Sequence, residues 1–443
     1  MTNKPNEKES LVQPAVVQDA LKALLLHKRS SISLKRILRE MRSESPSERY
    51  TDHESLAFGV IKYLNTIDFL IARSLDSMRP QDLPESDRDL LRLMLYMTRW
   101  LGRIDATRYL ESMKSDLVEV LKKASNYELD SAIRKFPRLN QISVLYSHPT
   151  FIVKTLVEHL GEKDTLELLA SNNKSRVQYL RPNRHRCDFE SAIRAIQTLG
   201  VELQQDSVYP DFYRITNGSD NIVVSDPFRN GDVLIQDKAS VLTAIALHAA
   251  PEEIVWDACA APGMKTQLIT EMMENSGFVV ASDIYSERVQ SAKNRFDKLG
   301  VKNTSWVHAD ASKLKVTGAQ KILIDAPCTS TGIIQSHPSF KWRLNKNVLM
   351  SIMSIQHKIL EGILTAYQDQ PGTEIVYATC SLLPHEGESQ IDSIMKTHEI
   401  ELLDTQIEGD SGYGGFQCSK KVRRLFPHRH ATSGFFISRM RIR

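Results

Sequence analysis

The stretch Glu253-Ile-Val-Trp-Asp-Ala-Cys-Ala-Ala-Pro-Gly-Met-Lys-Thr266 decides the fold. Its apolar opening reads as a buried strand, Pro262 and Gly263 break the run, and apolar spacing turns helical over Gln267–Met273. A strand, a tight turn and a helix amino-terminus follow one another. The pattern repeats downstream in Phe278-Val-Val-Ala-Ser-Asp283, Ser305-Trp-Val-His-Ala-Asp310, Ile322-Leu-Ile-Asp325 and Ile375-Val-Tyr-Ala-Thr379. Continuous β-branched runs suit parallel strands covered on both faces. Strands and helices alternating from Lys238 onward predict an α/β, doubly wound, mostly parallel sheet over residues 238–443.

Upstream the texture changes. Residues 147–237 combine a helical stretch, Phe151–Ala170, with short runs such as Val177-Gln-Tyr-Leu, Val201-Glu-Leu and Asn221-Ile-Val-Val-Ser, and read as a small α+β segment. Residues 1–146 contain almost no glycine. Apolar residues recur there at spacings of three and four, as in Leu56-Ala-Phe-Gly-Val-Ile-Lys-Tyr-Leu and Leu90-Leu-Arg-Leu-Met-Leu-Tyr-Met, which predicts an all-α domain. Thr51-Asp-His-Glu and Ser86-Asp-Arg-Asp look like helix starts, each with a capping side chain and a carboxylate three residues on. No residue of this domain has the spacing of a catalytic site, so it reads as a docking module.

At 443 residues the chain needs more than one core, and its 41% hydrophobic and 25% charged residues are ordinary for a soluble globular protein. A net charge of +3 does not by itself announce nucleic acid. Local clusters say more. Lys174, Arg176, Arg181, Arg184, His185 and Arg186 surround Tyr179, a pattern that could follow a phosphate backbone while the ring stacks on a base. Lys420, Lys421, Arg423, Arg424 and Arg429 form a second basic run. No stretch approaches the roughly 18 apolar residues of a membrane span, and the polar start Met1–Ser10 lacks the apolar region of a signal peptide. A cytoplasmic protein is expected, monomeric and with no membrane partner. The five cysteines, Cys187, Cys259, Cys328, Cys380 and Cys418, fit neither a disulfide framework nor a metal site. They are expected to be reduced thiols.

Around the opening stretch, two familiar nucleotide readings fail. There is no Gly-x-Gly-x-x-Gly, and Gly263-Met-Lys-Thr is not the Gly-Lys-Thr of a P-loop. Small residues Ala258, Ala260, Ala261 and Gly263 let backbone N–H groups approach a ligand, and the following helix terminus favours a carboxylate. Asp283 lies where α/β folds place a ribose-hydroxyl acceptor, and Asp310 could accept from an adenine amino group. With Asp257 they make three acids at successive strand ends. S-adenosylmethionine carries a carboxylate, a ribose and an adenine for these groups to bind.

Two thiols complete the pattern, Cys328 in Asp325-Ala-Pro-Cys-Thr and Cys380 in Ala378-Thr-Cys-Ser. Each follows a predicted strand, at the sheet edge where open α/β folds bind ligands. With these motifs in hand, the chain resembles the RNA cytosine-5 methyltransferases, in particular the RsmB (Sun) branch with its NusB-like amino-terminal domain. The resemblance rests on Asp257-Ala-Cys-Ala-Ala-Pro-Gly-Met-Lys-Thr, Asp325-Ala-Pro-Cys-Thr-Ser-Thr-Gly with His337-Pro and Lys341-Trp, Ala378-Thr-Cys-Ser, and Pro427-His-Arg-His-Ala-Thr-Ser-Gly-Phe-Phe. The helical segment resembles NusB more loosely, around Asp52–Tyr63 and Leu90–Tyr96. Met264 replaces a usual glycine, His385-Glu-Gly-Glu replaces Glu-Glu-Asn-Glu, and Ser433 stands where an aspartate is common.

The resemblance implies a Rossmann-like methyltransferase domain that binds S-adenosylmethionine through Cys259, Ala260, Ala261, Pro262, Gly263, Met264, Lys265, Asp283, Arg288, Asp310 and Asp325. It also implies that Cys380 attacks carbon 6 of a cytosine, that Cys328 assists product release, and that Asp325 holds the base near ring nitrogen 3. A thiol with pKa near 8.5 is only a few per cent ionised at neutral pH, so Cys380 needs positive potential nearby. The helix expected to begin near Pro384–Glu386 could supply it. RNA is the implied partner, ribosomal RNA by domain order, with transfer RNA as the alternative. Two rival readings stand beside these: a DNA cytosine-5 methyltransferase, in which the Pro-Cys thiol attacks, and an inactive NusB-like RNA-binding or assembly factor.

Overall fold

The computed structural model describes residues 14–30, 32–44, 50–76, 78–102 and 113–443. The polar start at 1–10 lies outside them, as do the side chains around Thr51. Two compact units are present, one holding the chain up to Asn173 together with His337–Arg343, the other Lys174–Ser336 with Leu344–Arg443.

The first unit is helical. Leu91, Met94 and Leu95 fall on one stripe of the helix Glu85–Trp100 and are buried with Leu56, Val60, Ile67 and Leu70. Ser86 does not cap that helix. It lies inside the first turn, behind Pro84, and Glu85 and Asp87 put negative charge at the helix start. Arg92 grips Asp68 through two N–H groups, each 2.7 Å from a carboxylate oxygen. The helix Tyr50–Lys62 includes Thr51, and its last turn leaves carbonyls that need donors. Lys341 Nζ donates to Lys62 O at 2.8 Å, and Trp342 Nε1 donates to Ile61 O at 2.7 Å. Burial pushes the pKa of Lys341 well below the ordinary lysine range.

The helical unit runs past the boundary expected at 146. The stretch expected as one helix over Phe151–Ala170 forms two, Thr150–Leu160 and Glu162–Asn172, because Gly161 takes a left-handed φ of 78° between them. Both helices belong to this unit.

The second unit opens with a small antiparallel sheet of β1 (Gln178–Pro182), β2 (Glu202–Gln205), β3 (Tyr213–Asn217) and β4 (Val233–Ile235), in the order β2-β3-β1-β4. The strand expected at Asn221–Ser225 is instead part of the short helix Ser219–Val224, which starts behind the left-handed Gly218 and buries Ile222. The large sheet contains β5 (Ile254–Asp257), β6 (Phe278–Asp283), β7 (Thr304–His308), β8 (Lys321–Asp325), β9 (Glu374–Thr379), β10 (Ile400–Leu403), β11 (Asp410–Ser411), β12 (Arg423–Leu425) and β13 (Phe435–Ile442). Its parallel part is ordered β7-β6-β5-β8-β9. The chain winds outward from β5 to β7, then returns to β8 on the other side of β5, so the loops after β5 and β8 diverge at a switch point. Beyond β9 the sheet is antiparallel: β13 pairs with β9, β10 and β12, and β12 with β11.

Strand alternation builds a core on each face. Trp256, Ile322, Ile324 and Tyr377 pack on one side, and Val255, Leu323, Val376 and Ile437 on the other. Trp256 is wholly buried, and its Nε1 donates to Ser282 Oγ at 2.9 Å.

No break falls at the expected 237/238 boundary, because buried polar bonds tie the small sheet to the large one. Arg181 on β1 is buried and donates to Glu271 at 2.7 Å and Gln236 at 2.8 Å. Tyr179 is stacked on Phe212 at 4.7 Å between centroids and donates its hydroxyl to Ala431 O. Arg181 and Tyr179 therefore do not serve as the expected phosphate and base contacts, whereas Arg184 and Arg186 are exposed and pair with Asp211 and Asp232. In the second basic run Arg424 is also wholly buried. It donates to both oxygens of Glu388, at 2.7 Å and 2.5 Å, and to Ser381 O at 3.0 Å. Breaking a buried pair leaves its partner's charge uncompensated, so Arg424→Ala should cost about 3–5 kcal/mol. Arg423→Ala, which removes a partly exposed pair with Asp404, should cost no more than about 1 kcal/mol. Urea denaturation of the two variants measures the contrast.

Candidate active site

Four loops at the carboxyl ends of the parallel strands, together with the segment before β13, converge on one edge of the large sheet. The first loop leaves β5 through Ala258–Gly263 and enters the helix Met264–Met272, slightly earlier than the expected Gln267. Gly263 has φ 95°, and a Cβ there would lie 2.5 Å from the Phe296 ring. Only glycine fits. The Ala261–Pro262 peptide is cis.

A cavity of about 220 Å³ opens beneath this loop. Of the expected cofactor residues, Cys259, Ala260, Ala261, Pro262, Met264, Lys265 and Asp325 line it. Asp237 and Ser240, which sequence reasoning missed, line it too. Asp237 accepts from the hydroxyls of Thr432 and Ser433, at 3.0 Å and 2.7 Å, and so ties the segment before β13 to the cavity. The departure at Ser433 is thus accommodated by a hydrogen bond.

Asp283, Arg288 and Asp310 stand outside the lining. Asp283 is buried and accepts from Ala261 N at 3.2 Å and Tyr285 N at 3.1 Å. Arg288 bonds Asp283 and also donates to Ala261 O. Both residues brace the loop through its Ala261 backbone. Asp310 accepts from the backbone and hydroxyl of Ser312, at 3.0 Å and 2.8 Å, a local turn that occupies one oxygen.

Asp257 lies at the cavity floor. Thr266 Oγ1 donates to its Oδ2 at 2.7 Å, while Oδ1 is buried with no donor among the described residues. Burial raises its pKa from the ordinary 3.8 to about 7. Burial also pushes the Cys259 thiol far up, which makes it unreactive.

The loops after β8 and β9 carry the thiols. Cys328 Sγ and Cys380 Sγ are 3.0 Å apart, with Ser330 Oγ 3.6 Å from Cys380. The hydrogen bond to Cys380, and then burial, push the Cys328 thiol well up, so it keeps its proton. Backbone bonds fix this geometry: Gly332 N donates to Cys380 O at 2.9 Å, and Gly434 N donates to Gly332 O at 2.8 Å. A Cβ at Gly332 would fall 1.8 Å from Gly434 O.

Lys265 Nζ donates to Asp325 Oδ2 at 2.7 Å and lies 5.5 Å from the Phe435 ring centroid. Burial opposes its charge, but Asp325 and the nearby Cys380 hold its pKa above the ordinary value. Lys265 is thus a cation close to Cys380. The helix expected near Pro384 begins only at Glu388, behind the 3-10 turn Pro384–Glu386, so its terminus is displaced from the thiol.

Residues 244–441 match the family described as 16S rRNA methyltransferase RsmB/F. The chain is 28% identical over 341 residues to the 28S rRNA (cytosine-C(5))-methyltransferase of Mus musculus, covering 74% of this chain and 43% of the mouse protein. It thus spans less than half the length of that relative. It is 26% identical over 414 residues to the probable ribosomal RNA small subunit methyltransferase B of Bacillus subtilis, covering 87% of this chain and 89% of that one. Among solved structures, the crystal structure of PH0851 has 25% sequence identity and a TM-score of 0.78, covering 98% of this chain and 100% of that one.

The raised pKa of Asp257 has a thermodynamic signature. Below its unfolded value of about 4 both states are protonated; as pH rises towards about 7 the unfolded chain releases a proton that the folded protein keeps, and stability is lost. Asp257→Asn removes this titration. Urea midpoints without added ligand should show the variant gaining on the wild type between about pH 4 and about pH 7, and levelling above it.

Proposed function

We propose that this chain, a member of the RsmB/F methyltransferase family through residues 244–441, methylates carbon 5 of a cytosine in ribosomal RNA with S-adenosylmethionine as donor. The observation that carries the proposal is the pair of thiols 3.0 Å apart at the ends of neighbouring strands, beside a cavity framed by a glycine turn. The donorless Oδ1 of Asp257 suits an ammonium, and the small residues of the loop suit an amino-acid head. S-adenosylmethionine supplies an electrophilic methyl group when bound.

The residues divide the work. Carbon 5 of cytosine is too weak a nucleophile to be methylated directly, so a thiolate must first add at carbon 6 and create an enamine. Cys380 takes that role, in the Ala378-Thr-Cys-Ser context that the family resemblance gives the nucleophile, with Lys265 nearby as a cation. Asp325, oriented by Lys265, hydrogen-bonds the base near ring nitrogen 3. Once Cys380 is bonded to carbon 6 it no longer holds the Cys328 proton, which passes to solvent. After carbon 5 is methylated the Cys328 thiolate takes the carbon 5 proton, the freed electron pair restores the 5,6 double bond, and Cys380 leaves as a thiolate to release the product.

The helical unit serves as a NusB-like docking module. Exposed Lys174, Arg184, Arg186, Lys420, Lys421 and Arg429 are the basic residues left to follow RNA phosphates. Five free thiols suit the reducing cytoplasm.

Two measurements test this reading. Asp283→Ala frees the Ala261 N–H and Arg288 together, and should weaken S-adenosylmethionine binding about ten- to a hundredfold by calorimetry. Cys380→Ala should abolish methylation and any covalent RNA complex, whereas Cys328→Ala should accumulate a denaturation-resistant adduct that depends on Cys380. A denaturing gel showing the adduct with Cys380→Ala and none with Cys328→Ala would reverse the two roles and favour the DNA-enzyme logic.

A further inference from the structure

Glu386 is buried to 0% exposure directly behind the two thiol loops. Its Oε1 accepts from Thr329 N at 2.8 Å and from Gln356 Nε2 at 3.0 Å. Its Oε2 accepts from the hydroxyls of Thr329 and Ser381. Thr329 follows Cys328 in the chain, and Ser381 follows Cys380. Gln356, on the helix Lys346–Tyr367, also donates to Pro327 O at 2.9 Å, immediately before Cys328. The backbone of Glu386 is pinned as well, since Tyr377 OH on β9 donates to its carbonyl at 2.9 Å.

Burying a carboxylate is costly unless every lone-pair direction finds a donor. Here the donors come from the immediate neighbours of both sulfurs, and Arg424, the nearby guanidinium, is already committed to Glu388. A residue that only filled space would not need a charge. We propose that Glu386 is a positioning residue for the two-thiol chemistry, its carboxylate clamping the Cys328 and Cys380 loops so that the sulfurs stay in register. This rests on the roles given to the two thiols above. The charge has a second effect: after the Cys380 bond and burial, it adds to the forces that keep Cys328 protonated.

Glu386→Gln tests the clamp. The amide replaces one acceptor oxygen with a donor, so at least one thiol-loop donor loses its partner. Single-turnover methylation of RNA should fall about ten- to a hundredfold, the size expected for a misplacement of about 1 Å, while S-adenosylmethionine affinity stays near wild type and Tm drops by only a few degrees. A readout that needs neither RNA nor cofactor accompanies it. In the Cys380→Ala background, iodoacetamide labelling of Cys328, mapped by mass spectrometry, should shift to lower pH when Glu386→Gln removes the charge. A methylation rate equal to wild type, or a fall matched by loss of both Tm and cofactor affinity, overturns the proposal. If the wild-type protein methylates no RNA, the functional reading fails instead, and the labelling shift still reports on the clamp. Should Glu386→Gln not fold, Thr329→Val and Ser381→Ala each delete one hydroxyl donor and keep the carboxylate; unchanged single-turnover rates in both overturn it equally.

Discussion

The ion pair between Lys265 and Asp325 joins the two halves of the site. Lys265 stands in the first turn of the helix after β5, and Asp325 closes β8, so the pair spans the point where the sheet's winding reverses. A charge pair taken out of water is stable only when geometry is good and its surroundings are polar. Both conditions hold at this edge, where Asp257 and Cys380 add to the field on Lys265. One ammonium thereby orients an acid that can meet a base and provides potential for a thiol on the next strand. The loop after β5 and the Cys380 thiol are thereby linked through one side chain.

Much of this edge was readable before any coordinates. Strands β5, β6, β8 and β9 are compact β-branched runs bounded by turn residues, and the residues that follow β5, β8 and β9 meet at one edge of the sheet, so pattern and motif agree. The antiparallel extension was harder. Strands β11 and β12 are only two and three residues long, and they pair through contacts that no local periodicity announces. Charge misled most. Arg181 and Arg424 sit among basic neighbours that suggest a surface, yet each finds its acid far away in the chain, at 90 and 36 residues' separation. Asp283 and Arg288, expected to bind the cofactor, bond the Ala261 backbone and each other and stand outside the cavity lining.

The helical unit shows the same limit in another form. His337-Pro and Lys341-Trp are among the motifs on which the family resemblance rests, and nothing in their spacing marks them as helix caps. Lys341 and Trp342 nonetheless supply the donors that the end of the helix Tyr50–Lys62 lacks. Helix ends advertise their needs poorly when the partner is some 279 residues distant. Residues 337–343 accordingly count with the helices although their neighbours on both sides belong to the sheet-bearing unit.

Strand β13 carries a consequence for how the protein is made. It lies between β9 and β12, and Gly434 just before it braces Gly332, which in turn holds the carbonyl of Cys380. While a ribosome is still short of residues 423–442, β9 is an open edge and the Cys380 loop lacks Arg424, Gly434 and the Thr432–Ser433 link to Asp237. An open strand edge is a template for wrong pairing, so this stage exposes the chain to aggregation. Cys380 is translated well before the support that positions it, so its loop reaches its final geometry only when most of the second unit can close around it.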